Sequence, residues 1–153
     1  MAAPYPGGCV CGAARYRVTE EPLTLYACHC TDCQKRSGSA FGLSMWVRRS
    51  DLELTQGELT RHDLELGGGR KSNARTCARC ATRLWSEPAR LPEYAVLRPG
   101  TLDDTSWLEP VAHLWTRSAQ PWFRFPEGVT TYETQPADML ELARLWQKSG
   151  RRT

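Results

Sequence analysis

Seven cysteines carry most of the chemistry this chain can offer, and they fall into three groups. Cys9-Val10-Cys11 stands near the N-terminus. Cys28-His29-Cys30-Thr31-Asp32-Cys33 follows, and Cys77-Ala78-Arg79-Cys80 lies far downstream. A tetrahedral zinc ion takes four soft ligands at about 2.3 Å. Two residues between cysteines let a tight turn aim both sulfurs at one point. Cysteines at i and i+2 share a strand face but converge on one ion only if the backbone bends. Cys9, Cys11, Cys77 and Cys80 therefore read as a closed four-thiolate set that crosslinks remote segments, which is how structural zinc contributes folding energy. Cys28, Cys30 and Cys33 remain as three thiolates with an exchangeable fourth position, the arrangement of catalytic zinc. The expectation is two zinc ions per chain.

Two other uses of the middle cluster stay open at this point. A histidine could close it, and His62 and His113 are the candidates, because His29 between two ligating cysteines should point away from their metal. A redox dithiol of Cys30 and Cys33 would need a strand–turn–helix context, and the pattern displays no βαβ unit. The odd cysteine count also argues against a secreted disulfide framework.

The elements that must position these thiols are short. The chain has 153 residues, 41% of them hydrophobic, enough for one domain with a sizeable core. Ala14 to Val18 alternates, and Leu23 to Tyr26, Phe41 to Val47, Leu52 with Leu54, and Leu64 with Leu66 also read as strands. Thr82 to Trp85, Tyr94 to Leu97 and Val111 to Thr116 are further candidates. Short strands at this spacing predict a mainly β domain over residues 5–135. The tail, 136–153, differs. From Ala137 to Lys148, Met139, Leu142, Ala143 and Trp146 fall at helical spacing, with Pro136 before them and Gly150 placed to stop the helix. Such a stripe docks on its own core or, as the alternative, on a second copy in a homodimer. Arg151-Arg152 reads as a solvated tail.

The formal charge is +3, from 20 basic and 17 acidic residues. Seven thiolates with two zinc ions would bring the loaded chain near zero, so net charge is no argument for nucleic acid. No run approaches the roughly 18 apolar residues of a membrane span, and Met1 to Gly8 reads as neither a secretory signal nor a transit peptide. A cytoplasmic protein is expected.

Gly8-Cys9-Val10-Cys11-Gly12-Ala13-Ala14-Arg15-Tyr16 and Cys28-His29-Cys30-Thr31-Asp32-Cys33-Gln34-Lys35, running into Gly38-Ser39-Ala40-Phe41, resemble the glutathione-dependent formaldehyde-activating enzyme family. That family also includes centromere protein V-like proteins. The likeness continues through Cys77-x-x-Cys80, Gly100-Thr101-Leu102-Asp103-Asp104, His113-Leu114-Trp115 and Pro121-Trp122. It implies a β-tent fold of small antiparallel sheets around zinc, with Cys9, Cys11, Cys77 and Cys80 at the structural metal and Cys28, Cys30 and Cys33 at the catalytic one. It also implies carbon–sulfur lyase chemistry on a thiol–aldehyde adduct such as S-hydroxymethylglutathione, with glutathione as co-substrate. Lys35, Ser39 and Phe41 are the candidate substrate contacts, and Arg36 beside Lys35 could neutralise a glutathione carboxylate. The alternatives are a zinc-stabilised protein- or chromatin-binding module and a thiol redox or metal sensor.

Two positions depart from the family's habit, Thr76 before the second CxxC and Ala81 after it. If position 81 needs a left-handed backbone, alanine costs about 1 kcal/mol there relative to glycine. Gly67-Gly68-Gly69-Arg70-Lys71 lacks the spacing of a phosphate loop and reads as a hairpin turn. Trp115, Trp122 and Phe123 read as core aromatics, with a pocket wall as the alternative. Arg15 could orient a carboxylate in a pocket and as easily pairs with an aspartate or glutamate of the chain.

Overall fold

The computed structural model describes residues 2–151. Among these residues eleven strands form two sheets, and the fold is mainly β with a C-terminal helix, as the sequence predicts. Strands β1 (Tyr5–Gly8), β2 (Arg15–Val18) and β5 (Leu52–Gln56) make a small antiparallel sheet in the order β1-β2-β5. The other eight are β3 (Thr24–Cys28), β4 (Gly42–Arg48), β6 (Leu59–Leu66), β7 (Arg70–Cys77), β8 (Arg83–Pro88), β9 (Tyr94–Leu97), β10 (Ala112–Leu114) and β11 (Thr130–Tyr132). They run in the order β11-β10-β3-β4-β9-β8-β7-β6. This sheet is larger than expected and is not wholly antiparallel, since β10 lies parallel to both β3 and β11.

Strand β3 is buried along its whole length, which suits a central strand of Thr-Leu-Tyr-Ala-Cys. It ends on Cys28, two residues past the Leu23 to Tyr26 run. Three strands were not legible, β1, β7 and the three-residue β11. Tyr5-Pro6-Gly7-Gly8 looks like a turn, yet it pairs at the sheet edge, where proline is tolerated. Gly7 is required there, because a Cβ would lie 2.4 Å from the Tyr16 hydroxyl. Strand β7, Arg-Lys-Ser-Asn-Ala-Arg-Thr-Cys, has no apolar alternation and takes its register from β6, with Leu59 opposite Cys77 and Leu66 opposite Arg70.

Both sheets contribute to one core. Tyr5, Tyr16, Val18 and Leu52 of the small sheet join Met45, Val47, Leu84, Trp85 and Leu97 of the large one. The Tyr16 and Trp85 rings meet edge to face at 6.0 Å. Helix α2 (Leu140–Lys148) starts three residues later than the sequence suggests and buries Leu142 and Trp146 on this core. Thr24 Oγ1 donates to Leu142 O at 3.0 Å, tying the helix to β3. Gly150 takes a left-handed φ of 64° just past the helix end, as expected. Arg151 is not a solvated tail: it donates to Glu109 O and Pro110 O and pairs with Glu109 Oε1 at 2.6 Å. Arg152 lies outside the described residues. Among those residues no helix is long and apolar enough to cross a membrane.

Two stability predictions arise from this frame. Glu87 on β8 accepts from Trp85 Nε1 at 3.1 Å and Arg49 Nε at 2.9 Å, and pairs with Arg75 at 3.4 Å. Burial opposes its charge, but Trp85, Arg75 and Arg49 together hold its carboxyl below the ordinary value of 4.5. A depressed carboxyl stabilises the fold fully above its unfolded pKa and loses that contribution as pH falls through the folded one. Glu87→Gln should therefore lower stability by about 1–2 kcal/mol at pH 7. The difference should vanish in strong acid, as urea melts of both proteins at several pH values would read.

The second concerns Ala81, whose φ is 61°. The left-handed backbone is thus present, and alanine sits where glycine is unstrained. Ala81→Gly should raise stability by about 1 kcal/mol and the melting midpoint by about 2–4 °C. A lower midpoint would mean that the turn draws something from the methyl group.

Candidate metal centres

The four-thiolate cluster is made by two bent turns. Between β1 and β2, Cys9 N donates to Ala14 O and Gly12 N to Cys9 O, both at 3.0 Å, and Gly12 takes a φ of 76°. This bend brings Cys9 Sγ and Cys11 Sγ to 3.4 Å although they are only two residues apart. Between β7 and β8, Cys77 N donates to Thr82 O and Ala81 N to Cys77 O. Ala14 N reaches Cys9 Sγ at 3.2 Å and Arg79 N reaches Cys77 Sγ at 3.4 Å, so backbone N–H groups already solvate the sulfurs. Cys11 Sγ lies 3.9 Å from Cys77 Sγ, across 66 residues of chain. All four sulfurs lie within 4.8 Å of one another. Tetrahedral zinc with bonds near 2.3 Å places its sulfurs about 3.8 Å apart, so this donor set fits it. The Ala14 N–H lowers the Cys9 thiol pKa, and the Thr82 hydroxyl and N–H bring Cys80 down to about 5.

The three-thiolate cluster joins a strand end to a helix start. Cys28 ends β3, and Cys30 is the N-cap of α1 (Thr31–Ser37), its sulfur accepting from Cys33 N at 3.3 Å. The three sulfurs lie within 4.8 Å of one another and again fit a soft cation. Thiol donation from Cys28 and Cys33 lowers Cys30, and Cys28 rises because it donates to Cys30 and Cys33 and is buried. Helix α1 was missed by sequence periodicity because none of its seven residues is buried. Its end signals were present: Asp32 in the first turn, Lys35 and Arg36 in the last, and Gly38 with φ 64° beyond. The structure thus provides the strand–turn–helix context that the sequence pattern did not reveal.

Neither candidate histidine closes this cluster. His29 points away as expected, fully buried, with its Nε2 2.9 Å from His113 Nδ1. The pair is enclosed by Phe41, Phe123 and Phe125, at 4.8–5.3 Å from the His29 ring. His62 is held at 2.9 Å by the Thr76 hydroxyl on the neighbouring strand, the use made of that departure. Among the described residues, the middle group remains three thiols.

The cluster's free side faces a cavity of about 270 Å³ lined by Cys28, Cys30 and Cys33 together with Trp46, Arg36 and Arg98. Trp115 is a wall residue rather than core, held with φ 60° and donating Nε1 to Gln135 Oε1 at 3.1 Å. Trp122 is exposed and Phe123 covers the histidine pair. Above Cys30, Gly67 N donates to Asp32 Oδ2 at 2.9 Å, so the glycine turn between β6 and β7 is fastened to α1. Lys35 and Ser39 are exposed and the Phe41 ring packs tilted against His29; none of the three lines the cavity. Arg36 does, and so does Arg98, which the sequence did not single out. Of its two readings Arg15 takes the second, pairing with Asp103 through both terminal guanidinium nitrogens.

A family model described as glutathione-dependent formaldehyde-activating enzyme matches residues 4–118. The chain belongs to this family. Within it, a Halomonas elongata protein named "Putative glutathione-dependent formaldehyde-activating enzyme" is 32% identical over 91 residues. That match spans 57% of this chain and 58% of the relative's length. A crystal structure of a Rhodobacter sphaeroides protein shares the fold, with a TM-score of 0.53 at 20% identity, covering 83% of this chain and 98% of that one. Membership in the glutathione-dependent formaldehyde-activating family accords with two cysteine clusters able to hold metal ions.

Proposed function

We propose that this protein makes or breaks the carbon–sulfur bond of a thiol–aldehyde adduct, S-hydroxymethylglutathione being the type case. Zinc would occupy both cysteine clusters, with glutathione as co-substrate. The observation that carries this reading is the convergence of Cys28, Cys30 and Cys33 on a cavity with no fourth ligand among the described residues, in a chain of this family. Cys28, Cys30 and Cys33 would hold the ion, which when bound supplies a soft electrophilic position for a thiol sulfur.

The chain's own residues supply the rest. Trp46, Leu91 and Val96 give the cavity an apolar wall that keeps water from an aldehyde carbon. Arg36 and Arg98 favour the anionic form of a thiol placed beside them. The thiol proton leaves, the sulfur lone pair forms the bond to the aldehyde carbon as the carbon–oxygen π bond breaks, and the oxygen that receives that pair takes up a proton. The product is a hydroxymethyl thioether, and lysis is the reverse. Nuclear magnetic resonance exchange measurements test this directly. The zinc-loaded protein should speed the approach to equilibrium among formaldehyde, glutathione and adduct without moving the equilibrium. An unchanged rate would sink the reading for this substrate pair.

A redox sensor is the second reading, favoured by Cys30 at the N-cap of α1 with Cys33 one turn in. One equivalent of peroxide would then oxidise the pair to a disulfide, seen as a loss of two hydrogens in the intact mass together with released zinc.

A further inference from the structure

Strand β6 forms one edge of the eight-stranded sheet, with β7 on one side and no strand of the described residues on the other. It is eight residues long and runs against β7 from Leu59 to Leu66 without a register shift. The other edges are blunted. Strand β11 has three residues, β1 contains Pro6 and is bridged at Gly7 by Leu102, and β5 meets β2 through a register shift. A long regular edge without proline or bulge is an open template for another strand.

The hairpin fixes which groups that edge offers. Residues of an antiparallel pair that exchange both backbone hydrogen bonds alternate with residues that exchange none. Ala78 N donates to Glu58 O at 3.0 Å, one step beyond the Leu59–Cys77 pair. The exchanging residues of β6 are therefore Thr60, His62, Leu64 and Leu66. Ala89 N donates to Lys71 O at 3.0 Å and Cys77 N to Thr82 O, which turns Lys71 and Cys77 away from β6, as this alternation requires. The N–H and C=O groups of Leu59, Arg61, Asp63 and Glu65 point out from the sheet edge, and their side chains share one face.

A second copy meeting this edge antiparallel must set outward-facing residues opposite outward-facing residues, which leaves few registers. Centred on Arg61, the register sets Arg61 against its own copy, and like charges directly opposite are destabilising. Centred on Asp63, it keeps Arg61 opposite Glu65 but sets Asp63 against itself and runs Leu59 past the end of the partner strand. Centred on His62, it sets Arg61 opposite Asp63 and, by symmetry, Asp63 opposite Arg61. Leu59 then lies opposite Glu65, and every outward N–H and C=O of the four residues finds a partner. We infer that β6 is a self-association edge, along which two copies join their large sheets antiparallel about a two-fold axis at His62. The opposite charges of Arg61 and Asp63 pick the register. One pair of strands is a small interface, which places the dissociation constant at about 10–100 µM.

Sedimentation velocity on the zinc-loaded full chain, over a concentration series spanning that range, should show a reversible monomer–dimer equilibrium. Arg61→Asp and Asp63→Arg each set like charges opposite one another at both symmetric places. Each should raise the dissociation constant about tenfold to a hundredfold. Both side chains are more than half exposed, at 57% and 78%, so the reversals leave the fold in place, and a thermal melt reports it. The double variant restores opposite charges and should recover the parent constant within about threefold. Amide exchange gives a second readout. The N–H groups of Arg61, Asp63 and Glu65 should exchange more slowly as concentration rises, while those of His62 and Leu64 stay unchanged because β7 already holds them. A parent that is monomeric throughout overturns the inference. So does a dimer that the single reversals leave intact or in which the outward amides do not slow, since it rests on another face, such as α2. A double variant no tighter than the single ones overturns it as well.

Discussion

Cys77→Ala is expected to leave the chain unfolded or nearly so at 37 °C, with one zinc fewer per chain. Cys77 is 2% exposed and brings β7 and its turn to the Cys9–Cys11 bend, across 66 residues. Closing so long a loop constrains the chain strongly, and the two bent turns have little apolar surface of their own. Structural zinc contributes about 10 kcal/mol or more, as large as the whole stability of an ordinary domain at about 5–15 kcal/mol. Three remaining thiolates would bind the ion far more weakly. Cys9→Ala should behave the same way, and the double variant should be little worse than either, because one site is broken once. Thermal melts followed by circular dichroism, with zinc measured on the same samples, check this. A cooperative melt within a few degrees of the parent would show that the four-thiolate cluster does not hold the fold together.

The opposite pattern is expected of Cys30→Ser. Its cluster spans only residues 28 to 33, so a metal there closes almost no loop and contributes little to folding. Serine also preserves the N-cap of α1 that Cys30 provides by accepting from Cys33 N. The variant should melt within about 1 kcal/mol of the parent and retain one zinc of two. Thiol–aldehyde exchange should nevertheless fall by at least about a hundredfold, since losing a mere outer-shell partner of a metal can cost about that much. Undiminished exchange with the middle metal missing would separate catalysis from this cluster. Collapse of the fold would make the site structural instead.

How much of this could be read in advance differs from element to element. Strand β9, Tyr94–Leu97, is where its apolar run lies, and β4 matches Phe41 to Val47 within one residue. Those segments carry their own signal, because the side chains that bury them are their own. Strand β7 and helix α1 do not. The first is held by its neighbours β6 and β8, and the second by caps and by the cysteines at its start. The C-terminal stripe was legible as a helix, but it starts at Leu140 rather than Ala137, where Asp138 Oδ1 accepts from Leu140 N at 2.9 Å.

The division of the cysteines into four and three follows from spacing alone. A metal-binding turn is a local object, and ligand type and interval survive in the linear chain. The closeness of Cys11 to Cys77 needed only that the two turns meet. The surroundings of the open cluster are another matter. Arg36 from α1 and Arg98 after β9 come from two segments with no shared motif, and only the tertiary fold brings both to the cavity lined by Cys33. Lys35 and Arg36 are adjacent in sequence, yet the roughly 100° between successive helical residues sends Lys35 to solvent and Arg36 to the cavity. Sequence by itself therefore determined which residues can hold a metal, because that chemistry depends on donor type and short intervals. The tertiary structure decided what faces the metal, because burial and charge arise only when distant strands are laid side by side.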